Sequence, residues 1–159
     1  MKIHLAQINE EGLRLEGEDP VAILDIKDEG ADFHSPIGYN VLAQHLGAAL
    51  LVQGRLWTTV TLRCSRCLKN FDAPLRADEF VVHRELTGEE EVDLTAEVRE
   101  DILLLLPAYP VCSEDCKGLC PVCGQNLNQR VCKCNQTVEH PVWAALDEAL
   151  RSHTPPKRR

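Results

Sequence analysis

Eight cysteines set the strongest constraint on what this chain can fold into. They run Cys64-x2-Cys67, then Cys112-x3-Cys116-x3-Cys120-x2-Cys123-x8-Cys132-x-Cys134. A tetrahedral metal takes two thiolates from one tight turn and two from another, which short gaps between cysteines provide. Eight sulfurs fill two four-ligand sites with none left over.

The sharpest submotif is Cys120-Pro121-Val122-Cys123-Gly124. A glycine just after the second cysteine permits positive φ, so that backbone N–H groups turn toward the thiolates. Cys132-Lys133-Cys134 is its natural second half, and the intervening stretch with Gly124, Asn126 and Asn128 can fold back as a small ribbon. One site is therefore expected at Cys120, Cys123, Cys132 and Cys134. The other pairs Cys64 and Cys67 with Cys112 and Cys116, closing a loop of more than forty residues. A swap, with Cys112 and Cys116 joining Cys132 and Cys134, is compatible with the same spacing. Leu68 stands where Gly124 stands in the other turn, which marks the first turn as the less ideal knuckle.

Nothing in the first residues forms an apolar secretory segment, and no apolar run approaches the roughly 18 residues of a membrane span. The chain reads as cytoplasmic. Reducing conditions there favour metal over disulfides, and zinc over an iron–sulfur cluster. Each loaded site would contribute on the order of 10–16 kcal/mol of apparent binding free energy. The chain has 159 residues, enough to bury about 68–70% of its unfolded surface without metal. The metals thus staple a subregion.

The zinc is expected to be structural. A catalytic zinc keeps an open position and commonly uses histidine or carboxylate. The six histidines (His4, His34, His45, His83, His140, His153) show no metal-protease or deaminase spacing, with His140 alone a reserve ligand. There is no nucleophile elbow, phosphate loop or dinucleotide fingerprint. The chain reads as non-enzymatic, with no small-molecule substrate.

Period-two alternation from Val52 to Leu62 predicts a strand with Val52, Leu56, Val60 and Leu62 on its apolar face. Gly54 marks a bulge or a close backbone approach. A second strand is expected over 71–86, at a sheet edge because Pro74 cannot donate to a ladder. Cys64 and Cys67 then sit at a hairpin tip. Short strands are expected at 1–8, 12–16 and 21–26, and a charged solvated loop at 87–91. A Leu-rich helix is expected over 93–106, capped by Asp93 or Thr95, ended by Pro107, and buried on more than one side along 102–106. A short helix over 141–150, begun by Pro141 with Val142, Trp143, Leu146 and Leu150 apolar, and a basic disordered tail over 151–159 complete the chain.

The fold class is α+β. A strand-rich antiparallel sheet domain with the Leu-rich helix occupies 1–110, and a Cys-rich, zinc-stapled C-terminal extension occupies 111–150. Twenty-five acids against 17 bases give a charge of −8, and four thiolates per Zn²⁺ would add about −2 at each site. Such a chain is not a broad phosphate-gripping surface, and an acidic body suits a basic protein partner.

Cys64-x-Arg66-Cys67-Leu68, the helix running into Leu106-Pro107, and Cys116-Lys117-Gly118-Leu119-Cys120-Pro121-x-Cys123-Gly124-x-Asn126-Leu127-Asn128 with Cys132-x-Cys134 resemble the YceD-like family of large ribosomal RNA subunit accumulation proteins. The resemblance spans about residues 50 to 150. It implies a non-enzymatic role in accumulation of large-subunit ribosomal RNA and in ribosome assembly. The expected partner is a ribosomal protein or assembly factor, with local rRNA contact from Lys117, Arg130, Lys133 and the tail residues Arg151, Lys157, Arg158 and Arg159. An alternative is a direct RNA-binding module in which Arg63, Arg66 and Lys69 grip phosphates. A third is a thiol redox protein, against which stands the lack of a helix after Cys67 to activate a thiolate.

Overall fold

The computed structural model describes residues 1–25 and 30–134. The chain divides into two compact units, Met1–Cys116 and Lys117–Arg159. Cys112 and Cys116 fall in the first unit with the sheet. The expected helix over 141–150 and tail over 151–159, with His140 and His153, lie outside the described residues.

The first unit is built on one long hairpin. Strands β5 (Ala49–Arg63) and β6 (Asn70–Glu85) pair antiparallel along nearly their whole length. On its other side β5 pairs with β4 (Ile37–Leu46) from Ala49 to Trp57, and with the short β3 (Ala31–Phe33) from Val60 to Leu62. Strand β2 (Leu13–Asp19) pairs with β4 and completes a five-stranded antiparallel sheet. A two-stranded ladder joins β1 (Lys2–His4) to β7 (Glu91–Asp93). The helix α1 (Thr95–Leu104) packs on β5, β6 and the turn at Val21–Leu24.

The alternation in β5 sorts as expected: Val52, Leu56, Thr58, Val60 and Leu62 are buried, while Gln53, Arg55, Trp57 and Arg63 are exposed. Thr58, the polar member of the buried row, donates from Oγ1 to the Ser35 carbonyl at 3.1 Å. Register with β6 slips between Gly54 and Leu56. A Cβ at Gly54 would lie 2.2 Å from the Asn40 carbonyl oxygen and 2.6 Å from the Val41 Cα, so bulge and close approach both hold. Pro74 lies on β6, whose only described partner is β5, so the proline faces an edge.

Other expectations need correction. The expected strand over 21–26 is a 3₁₀ turn at Val21–Leu24, with Ile26 outside the described residues. Leu24 is buried and its carbonyl accepts from Arg99 Nε at 2.7 Å, so this segment anchors the helix. The strand over 1–8 stops at His4 and gives way to a 3₁₀ turn at Leu5–Gln7, because β7 offers only three partners. Neither β3 nor β4 was anticipated; Gly38 and Asn40 interrupt the β4 pattern, and pairing with both β2 and β5 overrides that weak propensity. Glu91 and Asp93 belong to β7 rather than to the loop and helix.

The helix begins two residues later than expected. The N-cap position is Leu94, which makes no side-chain cap hydrogen bond, and not Asp93 or Thr95. Asp93, one residue before it, still serves the N-terminus: its Oδ1 accepts from Thr95 N at 2.9 Å and from Thr95 Oγ1 at 2.5 Å. Leu94, Val98 and Ile102 are fully buried. Leu104 is 75% exposed, so the run over 102–106 is buried on one side only.

The main core joins Met1, Ile3, Leu24, Ile37, Val41, Leu50, Val52, Leu56, Phe80, Val92 and the helix residues. A smaller cluster of Val60, Leu62 and Leu75, covered by Leu105 and Leu106, lies toward the tip of the hairpin. This cluster supports the cysteine-bearing turn.

Candidate metal centres

The β5–β6 hairpin turns through Cys64-Ser65-Arg66-Cys67-Leu68-Lys69. Leu68 N donates to the Cys64 carbonyl at 2.9 Å, and Cys64 N donates to the Lys69 carbonyl at 2.9 Å. The second unit repeats this turn. Gly124 N donates to the Cys120 carbonyl at 2.9 Å, and Cys120 N to the Gln125 carbonyl at 2.8 Å. The residue after the second cysteine is left-handed in both, Leu68 at φ 59° and Gly124 at φ 71°. Two stretches unlike in sequence thus fold as one kind of knuckle. Leucine occupies the first left-handed position at a backbone cost that glycine avoids at the second.

The segment after the helix closes on the first knuckle. Ser65 N donates to the Pro110 carbonyl at 2.8 Å, and Arg66 Nη1 donates to the carbonyls of Glu114 at 3.0 Å and Cys116 at 3.1 Å. Cys116 N closes a turn onto the Ser113 carbonyl at 3.1 Å. The four sulfurs of Cys64, Cys67, Cys112 and Cys116 all lie within 4.8 Å of one another. Cys64 Sγ is 3.9 Å from Cys116 Sγ, and Cys67 Sγ is 3.7 Å from Cys112 Sγ. Cys64, Cys67 and Cys116 are buried.

In the second unit the chain folds back as a small ribbon, with an antiparallel bridge between Leu119 and Asn126. Leu127 N donates to the Gly118 carbonyl at 3.0 Å, and Lys117 N to Asn128 Oδ1 at 2.8 Å. Asn126 Oδ1 in turn accepts from Asn128 N at 2.9 Å. Cys120, Cys123, Cys132 and Cys134 come together here, again within 4.8 Å. Cys120 is buried, Cys123 exposed and the other two half-buried. The grouping is the pair of foursomes expected from spacing, and the swap is not seen. No disulfide joins any of the eight.

A tetrahedron with Zn–S bonds of about 2.3 Å has edges of about 3.8 Å. Two sulfur pairs of the first foursome, at 3.7 and 3.9 Å, bracket that length, whereas a disulfide would need about 2.05 Å. The donor set fits a soft, tetrahedral cation, and both clusters could hold a metal ion.

Electrostatics agree with this. Burial pushes the Cys64 thiol up, but backbone N–H groups of Cys112, Cys67 and Arg66 outweigh it and bring it down to about 6. The Cys112 N–H lies 3.4 Å from Cys64 Sγ. Burial and the facing sulfurs of Cys116, Cys67 and Cys64 drive Cys112 up to about 12. In the other cluster the N–H groups of Cys123 and Val122 lower Cys120 to about 7, and the Cys123 sulfur and burial raise Cys134 to about 12. Each foursome thus has one thiol that ionises readily and one that resists while its neighbours are negative. Four thiolates at this distance require a cation among them.

Residues 78–149, which include Cys112 through Cys134, match the family model described as Large ribosomal RNA subunit accumulation protein YceD. Over these residues the chain is similar to the YceD family. An uncharacterised protein of Mycobacterium tuberculosis is 29% identical over 84% of this chain and 77% of the relative. An uncharacterised protein of Mycobacterium leprae is 24% identical over 78% and 64%. A chloroplastic protein of Arabidopsis thaliana, named Large ribosomal RNA subunit accumulation protein YCED homolog 1, is 37% identical over 29% of the chain and 14% of its own length. No solved structure matches.

The hydrogen bonds that lock the first centre were not anticipated. In the alternative RNA-binding reading Arg66 grips phosphate, yet its guanidinium holds the carbonyls of Glu114 and Cys116. Its place two residues after Cys64 is the one available signal.

Proposed function

We propose that this chain is a non-enzymatic zinc-binding factor that supports accumulation of large-subunit ribosomal RNA and assembly of the large ribosomal subunit. The YceD family match carries the ribosomal part of the reading. The sulfur spacing of the first foursome carries the metal part. Cys64, Cys67, Cys112 and Cys116 would hold one Zn²⁺, and Cys120, Cys123, Cys132 and Cys134 a second. A zinc ion with four thiolates supplies cross-linking and charge neutralisation, with no open position for a substrate. The acidic surface, at net −8, suits a basic ribosomal protein or assembly factor in the cytoplasm. Among the described residues no helix is long and apolar enough to cross a membrane.

Two features weigh against the other readings. Arg66 is engaged with backbone carbonyls, which weakens a phosphate grip at the first knuckle. Cys64 is fully buried and β6 rather than a helix follows Cys67, which weakens a thiol redox pair.

Elemental analysis of protein purified without chelator, with a free-thiol count, tests the metal reading. Two zinc ions per chain and no reactive thiols are expected; iron, or disulfides without metal, would overturn it. The ribosomal reading is tested by removing the gene and measuring the ratio of large- to small-subunit rRNA. That ratio should fall and be restored by the wild-type gene. An unchanged ratio would sink this assignment.

A further inference from the structure

The open face of the sheet carries a second feature that the cysteines do not explain. Trp57 projects from β5 on the side away from the core, directly between Gly38 of β4 and Arg76 of β6. A Cβ at Gly38 would lie 2.3 Å from the indole Nε1 and Cε2, so the ring rests on the bare backbone of β4. Only glycine at that register lets the indole approach so closely. The ring remains 39% exposed, so part of the indole is open to a ligand.

A cleft of about 480 Å³ surrounds it, within the range of about 300–1,000 Å³ typical of small-ligand sites. Arg55, Arg76, Asn40, Glu16 and Thr59 line it with Trp57. The Arg55 side chain makes no hydrogen bond or ion pair among the described residues, and that of Arg76 has only the exposed Asp78 at 3.8 Å. Asn40 Nδ2 reaches Glu16 Oε2 at 3.3 Å, leaving an amide and a carboxylate at the rim as acceptors and donors.

We propose that this cleft binds an unpaired nucleotide of a single-stranded RNA, with the base against the Trp57 indole and the flanking phosphates at Arg55 and Arg76. An aromatic side chain in a cleft also lined by two guanidinium groups suits a ligand that is itself flat, apolar on its face and anionic at its edge. Asn40 and Glu16 stand where a base edge needs hydrogen-bond partners. The chain's net charge of −8 opposes a long phosphate track but not one or two local contacts. The inference goes beyond the ribosomal reading, from which it takes only the choice of RNA as probe. Zinc content and rRNA ratio are measured separately, so its failure leaves that reading standing.

The test uses the full-length chain as purified and a fluorescein-labelled oligoadenylate of about ten nucleotides, free or annealed to its complement. Fluorescence anisotropy should show binding of the single strand in preference to the duplex. Trp57→Ala should weaken it about tenfold to a hundredfold, while Trp57→Phe keeps most of the affinity. Salt dependence should be shallow, and Arg55→Ala should reduce its slope by about 0.7, one phosphate's share for a single strand. The pair Arg63→Ala with Lys69→Ala should change nothing. Unaltered affinity in Trp57→Ala, at an unaltered urea midpoint, would overturn the assignment. So would a loss in Trp57→Phe equal to that in Trp57→Ala, a loss that follows Arg63 and Lys69 instead, or no binding of either probe.

Discussion

Leu68 and Gly124 occupy the same position in two turns closed by the same hydrogen bonds, and this sets up a comparison at single-residue scale. Leu68 sits at φ 59° with its side chain 48% exposed. A left-handed conformation costs an L-residue about 1–2 kcal/mol, against about 0.5–1 kcal/mol of extra entropy that glycine loses on folding. Leu68→Gly should therefore stabilise the first unit by about 0.5–1 kcal/mol, read as a higher urea midpoint. A lower midpoint would mean that the leucine side chain is packed in a way its exposure denies. The converse change, Gly124→Ala, meets no atom within 4 Å of the new Cβ, so its effect is backbone strain alone. It should weaken the second turn by about 1 kcal/mol. The readout is faster zinc loss to a chromogenic chelator.

At the scale of elements, α1 and β5 each depend on one residue outside their apolar pattern. Asp93 precedes the helix and receives both Thr95 groups. Those hydrogen bonds hold its carboxyl below the usual range, with the Thr95 hydroxyl contributing most. Asp93→Ala should cost about 0.5–2 kcal/mol at neutral pH. A carboxyl depressed in the folded state stabilises fully above its unfolded pKa of about 3.9 and loses that contribution as pH falls through its lower folded value. The gap between wild type and Asp93→Ala, measured by urea unfolding, should therefore narrow in acid. A gap independent of pH would exclude the capping role. In β5 the bulge at Gly54 brings β4 so near that a methyl group cannot fit. Because the obstruction is the β4 backbone and not a movable side chain, Gly54→Ala should cost about 3 kcal/mol or more. Circular dichroism melts would show a markedly lower Tm, and a near-normal Tm would mean that the strands can part.

For the whole molecule, the proposed metal ions and the apolar core would divide the work of stabilisation. The main cluster in the first unit contains no cysteine. The described part of the second unit has a ribbon of few hydrogen bonds around its four sulfurs. Chelation should leave the sheet of β2, β4 and β5 protected in hydrogen exchange while amides at 64–69 and 117–134 lose protection. Loss of sheet protection would make the metals essential to the entire fold. Metal retention should also fall with pH, since release lets thiols such as Cys112 and Cys134, both near 12 without a cation, take up protons. Chelator-detected zinc release should accelerate steadily as pH is lowered from about 8 to about 5.

The two groups of four cysteines were legible in the sequence because closely spaced cysteines share a tight turn, and a pair needs only its own turn to bring its sulfurs together. Strand β5, the edge position of Pro74 and the buried stripe of α1 were legible for the same reason, as each follows from periodicity or from one missing N–H. Strands β3 and β4 were not, because their stability comes from partners far along the chain. The same holds for the cleft at Trp57. Alternation already placed Trp57 on the polar face of its strand. That it lies over Gly38 and beside Arg76 is fixed by strand register, which only the folded sheet decides.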